Sequence, residues 1–199
     1  MHISEGVLSP PVLAAGWAVA AGGLALGLKK TPVEKLPETA LVSAALFLAS
    51  LVHVPLGPSS IHLTLLGIAG VMLGWSAVPA LFIALFLQGL LFQFGGLLSL
   101  GANTAAMGSA ALAGGLVFRV MPEKLRLPGA FAGGFAAVIV GTFVVVAALV
   151  LSDKDLRTTA ALLFAANLPL AVVEGVISLF IVAFLSKTLP GYVSRPARI

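Results

Sequence analysis

Apolar residues run along this chain in long blocks parted by short polar breaks, near 11–28, 37–53, 62–75, 78–97, 103–119, 128–151 and 158–186. Such blocks predict helices, and about 20 helical residues cover a hydrocarbon core of about 30 Å. The third block is short, and fusing it with the fourth across Trp75–Pro79 would make one long helix. Cation placement decides between the two readings, because Lys and Arg collect on the cytoplasmic side of a membrane. With seven spans and an outer N-terminus, the inner side holds Lys29, Lys30, Lys35, Arg119, Lys124, Arg126, Lys187, Arg195 and Arg198. The outer side then holds Lys154 and Arg157. Fusion would split the eleven cations into five inside and six outside. Seven spans are predicted, with the N-terminus outside and the C-terminus inside.

Composition supports one polytopic all-α integral membrane domain over residues 1–199. The chain is 60% hydrophobic and 9% charged, against roughly 25% charged residues in a soluble domain. The net charge of +4 belongs to helix ends, so no nucleic acid partner is expected. The absence of cysteine removes disulfides, thiolate metal sites and thiol catalysis together. No GxSxG, HExxH or intramembrane aspartate pair occurs, so no catalytic residue is expected. There is no GxxxxGK[ST] either, so active transport would need its ATPase on another subunit. The start MHISEGVLSP places no cation before Lys29, unlike a cleaved secretory leader. That start is expected to be kept.

The topology puts all three histidines, His2, His53 and His62, on the outer face. An amino-terminal X-His has a specific chemistry. The α-amine, the deprotonated amide nitrogen of His2 and its imidazole Nδ1 close two fused chelate rings around one metal ion. One equatorial position remains for another imidazole, and such tetragonal nitrogen sites suit Ni(II) and Cu(II). Met1 is expected to survive trimming, since the aminopeptidase acts before small residues. The fourth position is open to His53, which closes the second block, or to His62, which opens the third. His62 is preferred because the turn Gly57-Pro58-Ser59-Ser60 would aim it. The bland alternative makes His2 an accident of a loose terminus and the loop histidines half-wet interfacial rings.

The opening MHISEGVLSPPVL, the segment HVPLGPSSIHL, the run LQGLLFQFGGLLSLGANTAAMG and LPLAVVEGV near the end resemble the CbiM/NikM family. Its members are the substrate-binding components of energy-coupling-factor cobalt and nickel transporters. The resemblance covers essentially the whole chain, and Met-His followed by Glu-Gly is its most specific element. It implies a seven-helix bundle, a six-helix core plus an extra N-terminal helix that inserts the terminus into the protein. It also implies a metal held by nitrogens of Met1 and His2 and by the second-loop histidine, His62. The expected partners are a T-type transmembrane protein and a pair of cytoplasmic ATPases, often with a small accessory membrane subunit. No accessory domain is expected after Ile199, unlike members fused to one. The implied place is the plasma (inner) membrane, and the implied cargo is Ni(II) or Co(II). Geometry favours nickel, although low-spin Co(II) occupies similar sites and both branches share the Met-His start.

The remaining polar residues carry weaker signals. Gln88, Gln93 and Asn103 would by default hydrogen-bond between helices, at about 0.6–2 kcal/mol each. The functional reading makes Gln93 and Asn103 groups that orient a metal-bound imidazole, with His53 helping from the loop. Glu174, central in the last block, should be buried and paired, with Gln88 or the partner scaffold as its expected contact. Ala14, Ala15, Ala18 and Gly22 permit close helix approach within the chain or against a partner. A membrane structural or assembly protein with incidental histidines is the rival reading, and an intramembrane hydrolase a weaker third. Metal affinity of the purified chain separates the first two, and hydrolysis of any substrate would favour the third.

Overall fold

The structure is a computed structural model, and it describes residues 2–51, 53–56 and 59–189. Seven α-helices form among them: α1 Pro10–Lys29, α2 Leu36–Leu51, α3 Leu66–Leu73, α4 Ala77–Phe92, α5 Leu100–Val120, α6 Arg126–Ser152 and α7 Arg157–Thr188. Between α2 and α3 lies one antiparallel hairpin, β1 His53–Leu56 with β2 Ser59–His62. Prolines sit in the first turns of four helices, at Pro10, Pro11, Pro37, Pro79 and Pro128. A first-turn proline gives up an N–H that would have no partner in the helix anyway.

Seven helices are not seven equal crossings. Five segments are long and apolar enough to span a membrane: α1, α5, the stretches Glu123–Ser152 and Arg157–Thr188, and Leu66–Phe92 taken end to end. The chain is a multi-pass membrane protein. The 16 residues of α2 reach about 24 Å. The eight of α3 reach only about 12 Å, so the third apolar block is not a spanning helix. Its first residue, His62, ends strand β2, and residues 63–65 continue non-helically. The join to α4 is broken at Gly74, whose φ of 58° and ψ of −124° leave the helix. The fourth block also ends early, at Phe92, because Gln93 caps α4 with φ 59° and Gly95 and Gly96 follow with φ 81°.

The third block instead descends partly as non-helical chain. His62 lies beside His2, whose neighbour Ile3 bonds Asn103 near the start of α5. Gly67 lies beside Gly114 of α5 and Gly134 of α6. Asn103 and Gly114 are eleven residues apart on one helix, about 16 Å along its axis. Gly67 follows His62 by five residues, at most about 16–18 Å of chain, and residues 63–65 between them are non-helical, with Leu65 left-handed at φ 52°. Every residue of α3 except Met72 is buried. A Cβ at Gly70 would overlap the Ala111 carbonyl of α5, so α3 sits directly on backbone.

Polar ties set the remaining elements. Ser43 Oγ of α2 donates to Ala80 O of α4 at 2.8 Å. Thr31 Oγ1 donates to Gly27 O at 2.6 Å and accepts from Ser76 Oγ at 2.8 Å, and Lys30 lies over the Trp75 ring, joining the end of α1 to the turn before α4. The N-termini of α1 and α5 lie at the same end, since Gly16 meets Ala102 and Gly101 meets Trp17. That end also holds the C-terminus of α6 and the N-terminal segment, because Ser9 N donates to Ser152 Oγ at 3.1 Å. Lys29, Arg119, Arg126 and Lys187 mark the opposite end.

Candidate metal centre

The N-terminal segment is held at four points along its length. Ile3 N donates to Asn103 Oδ1 at 2.8 Å, and Asn103 Nδ2 donates to Ile3 O at 3.0 Å. Both donor and acceptor of one buried peptide are thereby satisfied by one amide side chain. Ile3 itself is fully buried, among Ala102, Ala106, Val145, Leu149 and Leu163 of α5, α6 and α7. Leu98 N donates to Glu5 Oε1 at 3.0 Å. A Cβ at Gly96 would overlap the Glu5 side chain, and one at Gly95 would stand 3.0 Å from Asn103 Nδ2 and 3.5 Å from His2 Cβ. With φ of 81° at both glycines, the turn after α4 folds tightly over the terminus.

This anchorage fixes His2. Its ring stacks on that of His62, with centroids 4.4 Å apart and planes 20° from parallel. Each residue is 3% exposed. Metal–nitrogen bonds of about 2.0 Å put two neighbouring imidazole centroids on one ion roughly 4–5 Å apart. His62 Nδ1 lies 2.9 Å from Leu63 O, and a donated Nδ1–H there leaves Nε2 as the basic nitrogen. Among the described residues no group of three His, Cys, Asp or Glu side chains is arranged to hold a metal ion.

The other expected residues are placed as follows. Met1 and the turn residues Gly57 and Pro58 lie outside the described residues. His53 stands opposite His62 in the hairpin register, while its side chain lies outside what is described. Asn103 is buried beside the centre, but it grips the Ile3 backbone rather than a ring. Gln93 is exposed, and its backbone serves as the left-handed cap of α4. Glu174 does not meet Gln88: its carboxylate accepts from Thr64 N, from Thr64 Oγ1 at 2.8 Å and from Leu65 N at 2.9 Å. Reading the sequence missed this contact, the Ile3 plug and the Glu5–Leu98 bond. The one signal was a threonine two residues after His62 in a run otherwise apolar to Leu66.

Replacing Asn103 with Ala should free the terminus. It strands the buried N–H and C=O of Ile3, each at about 1–3 kcal/mol. Amide exchange over residues 2–6 should rise strongly while α5 to α7 keep their protection. Unchanged exchange at Ile3 would show that Asn103 is not what holds it.

Buried at one end of a multi-pass membrane bundle, His2 stacks on the loop histidine His62. The chain belongs to the CbiM family, described as the cobalt uptake substrate-specific transmembrane region, which it matches over residues 2–191. A protein of Haemophilus influenzae named for metal transport is 39% identical over 98% of both chains. The cobalt transport protein CbiM of Sorangium cellulosum is 32% identical, over 98% of this chain and 95% of that one. A crystal structure described as a transition metal transporter superposes with a TM-score of 0.79 at 28% identity, covering 94% of this chain and 93% of the other.

Proposed function

We propose that this chain captures Ni(II) or Co(II) at the outer face of the membrane and delivers it inward when coupled to an ATP-driven scaffold. The ligands in this reading are the Met1 α-amine, the amide nitrogen and imidazole of His2, and the His62 imidazole. The observation that carries it is the buried stacking of His2 on His62, residues sixty positions apart, with the terminus pinned by Asn103. Four nitrogens in one plane favour nickel on geometry. The end opposite the histidines carries Lys29, Lys30, Lys35, Arg119, Lys124, Arg126 and Lys187, which favours a cytoplasmic placement for that end. The histidine end then faces out. The coupling partners in this proposal are a T-type transmembrane protein and a pair of cytoplasmic ATPases, with a small accessory membrane subunit.

Acidity tests the donor set. Binding requires a neutral α-amine, two neutral imidazoles and loss of the His2 amide proton. The ordinary pKa values are about 6.5 for histidine and about 7.7–8.0 for the α-amine, so protons compete as pH falls through that range. Nickel affinity should fall steeply between about pH 7.5 and pH 5.5, by more than one proton per ion. Calorimetry in buffers of different ionisation enthalpy should record the release. A carboxylate site would instead hold its affinity to about pH 5, because free carboxylates ordinarily titrate near 4. An unchanged affinity over this interval would sink the nitrogen assignment.

A further inference from the structure

We infer that Glu174 is a positioning residue for metal capture: from the middle of α7 it clamps the chain immediately after His62 and so sets where that imidazole stands. The inference rests on the reading of His62 as a ligand. His62–Leu65 is non-helical backbone enclosed in a membrane bundle, where each unpaired N–H costs several kcal/mol. Such a stretch persists only when protein groups take its hydrogen bonds. Glu174 takes three donors, the N–H groups of Thr64 and Leu65 and the Thr64 hydroxyl, and is itself fully buried.

The same carboxylate caps α3. Leu65, which precedes that helix, has φ 52° and supplies no side-chain cap. An anion at a helix N-terminus is favoured by the helix dipole and by donors that lack partners within the helix. Here the anion comes from 109 residues away. Among the described residues no salt bridge to Glu174 forms, and its carboxylate faces the N–H groups that open α3. The clamp is tight on both sides, because a Cβ at Gly134 of α6 would meet Ser178 Oγ and the Glu174 carbonyl. Only Leu63 separates the clamped Thr64 from His62. A shift of α7 therefore moves the imidazole.

The test is a double-mutant cycle on the purified full chain, read by nickel calorimetry and by the visible spectrum of the nickel-loaded protein. Glu174→Ala should weaken nickel binding about 10–100-fold and give a spectrum like that of His62→Ala. Glu174→Gln keeps one acceptor oxygen and should recover part of the loss. In the His62→Ala background, Glu174→Ala should add less than about two-fold. Additive losses, or full affinity in folded Glu174→Ala, would overturn the inference. Should Glu174→Ala fail to fold, Thr64→Val removes one of the three donors and should give a smaller loss that also vanishes without His62. Amide exchange at Thr64 and Leu65 without metal reads the clamp independently, and it should rise in Glu174→Gln. If His62→Ala leaves affinity unchanged, the ligand assignment fails, whereas unchanged exchange defeats the clamp itself.

Discussion

A histidine-free tag of about ten residues placed ahead of Met1, which carries the α-amine far from the His2 imidazole, should abolish tight nickel binding while leaving the helical bundle folded. The addition turns the α-amine into an amide, which no longer supplies a basic nitrogen, and it breaks the fused pair of chelate rings. The terminus also has little room to adapt, since His2 is 3% exposed and Ile3 is fully buried. The expected loss is on the order of a thousand-fold, about 4 kcal/mol. Circular dichroism should be unchanged, and the same extension placed after Ile199 should have no effect. A tagged terminus that binds nickel as tightly as the native one would remove the chelate from the account.

Replacing His62 with Ala should cost about a hundred-fold or more in nickel affinity, near 3 kcal/mol. The substitution takes away the ring stacked on His2 and leaves the terminal chelate with an open fourth position. His53→Ala should cost only a few-fold, by disturbing the hairpin partner of His62. Equal losses would mean that both loop histidines bind the ion. The reverse order would mean that His53 is the ligand and that the stack serves packing.

Much of the architecture was legible because a bilayer imposes one rule, long apolar helices with cations at one end. The blocks at 11–28, 103–119, 128–151 and 158–186 lie within two or three residues of α1, α5, α6 and α7. The third block was misread for a physical reason. Apolar composition reports depth in the membrane and not backbone conformation, so the non-helical chain at Leu63 and Leu65 looks like helix. That non-helical stretch is hydrogen-bonded by Glu174, 110 residues from Thr64, beyond any local pattern. The end of α4 was set too late because Gln93 adopts the left-handed region, which few glutamines signal.

The candidate centre was half legible. An X-His start is chemistry written in two residues, and the loop histidines share a face by topology alone. Which side chains hold the terminus was not readable, because Asn103 acts on the main chain of Ile3 and Glu5 meets a main-chain N–H of the turn after α4. Backbone contacts of that kind leave no residue-type signature on the partner.

X-ray absorption on the nickel-loaded full chain, recorded beside its visible spectrum, tests the central claim most directly. The account predicts a planar, diamagnetic ion with four nitrogen neighbours and the outer-ring scattering of two imidazoles. His62→Ala should reduce that to one imidazole, with a water or chloride in the vacated position. A six-coordinate, oxygen-rich ion, or one that keeps both imidazoles after the His62→Ala change, would contradict it.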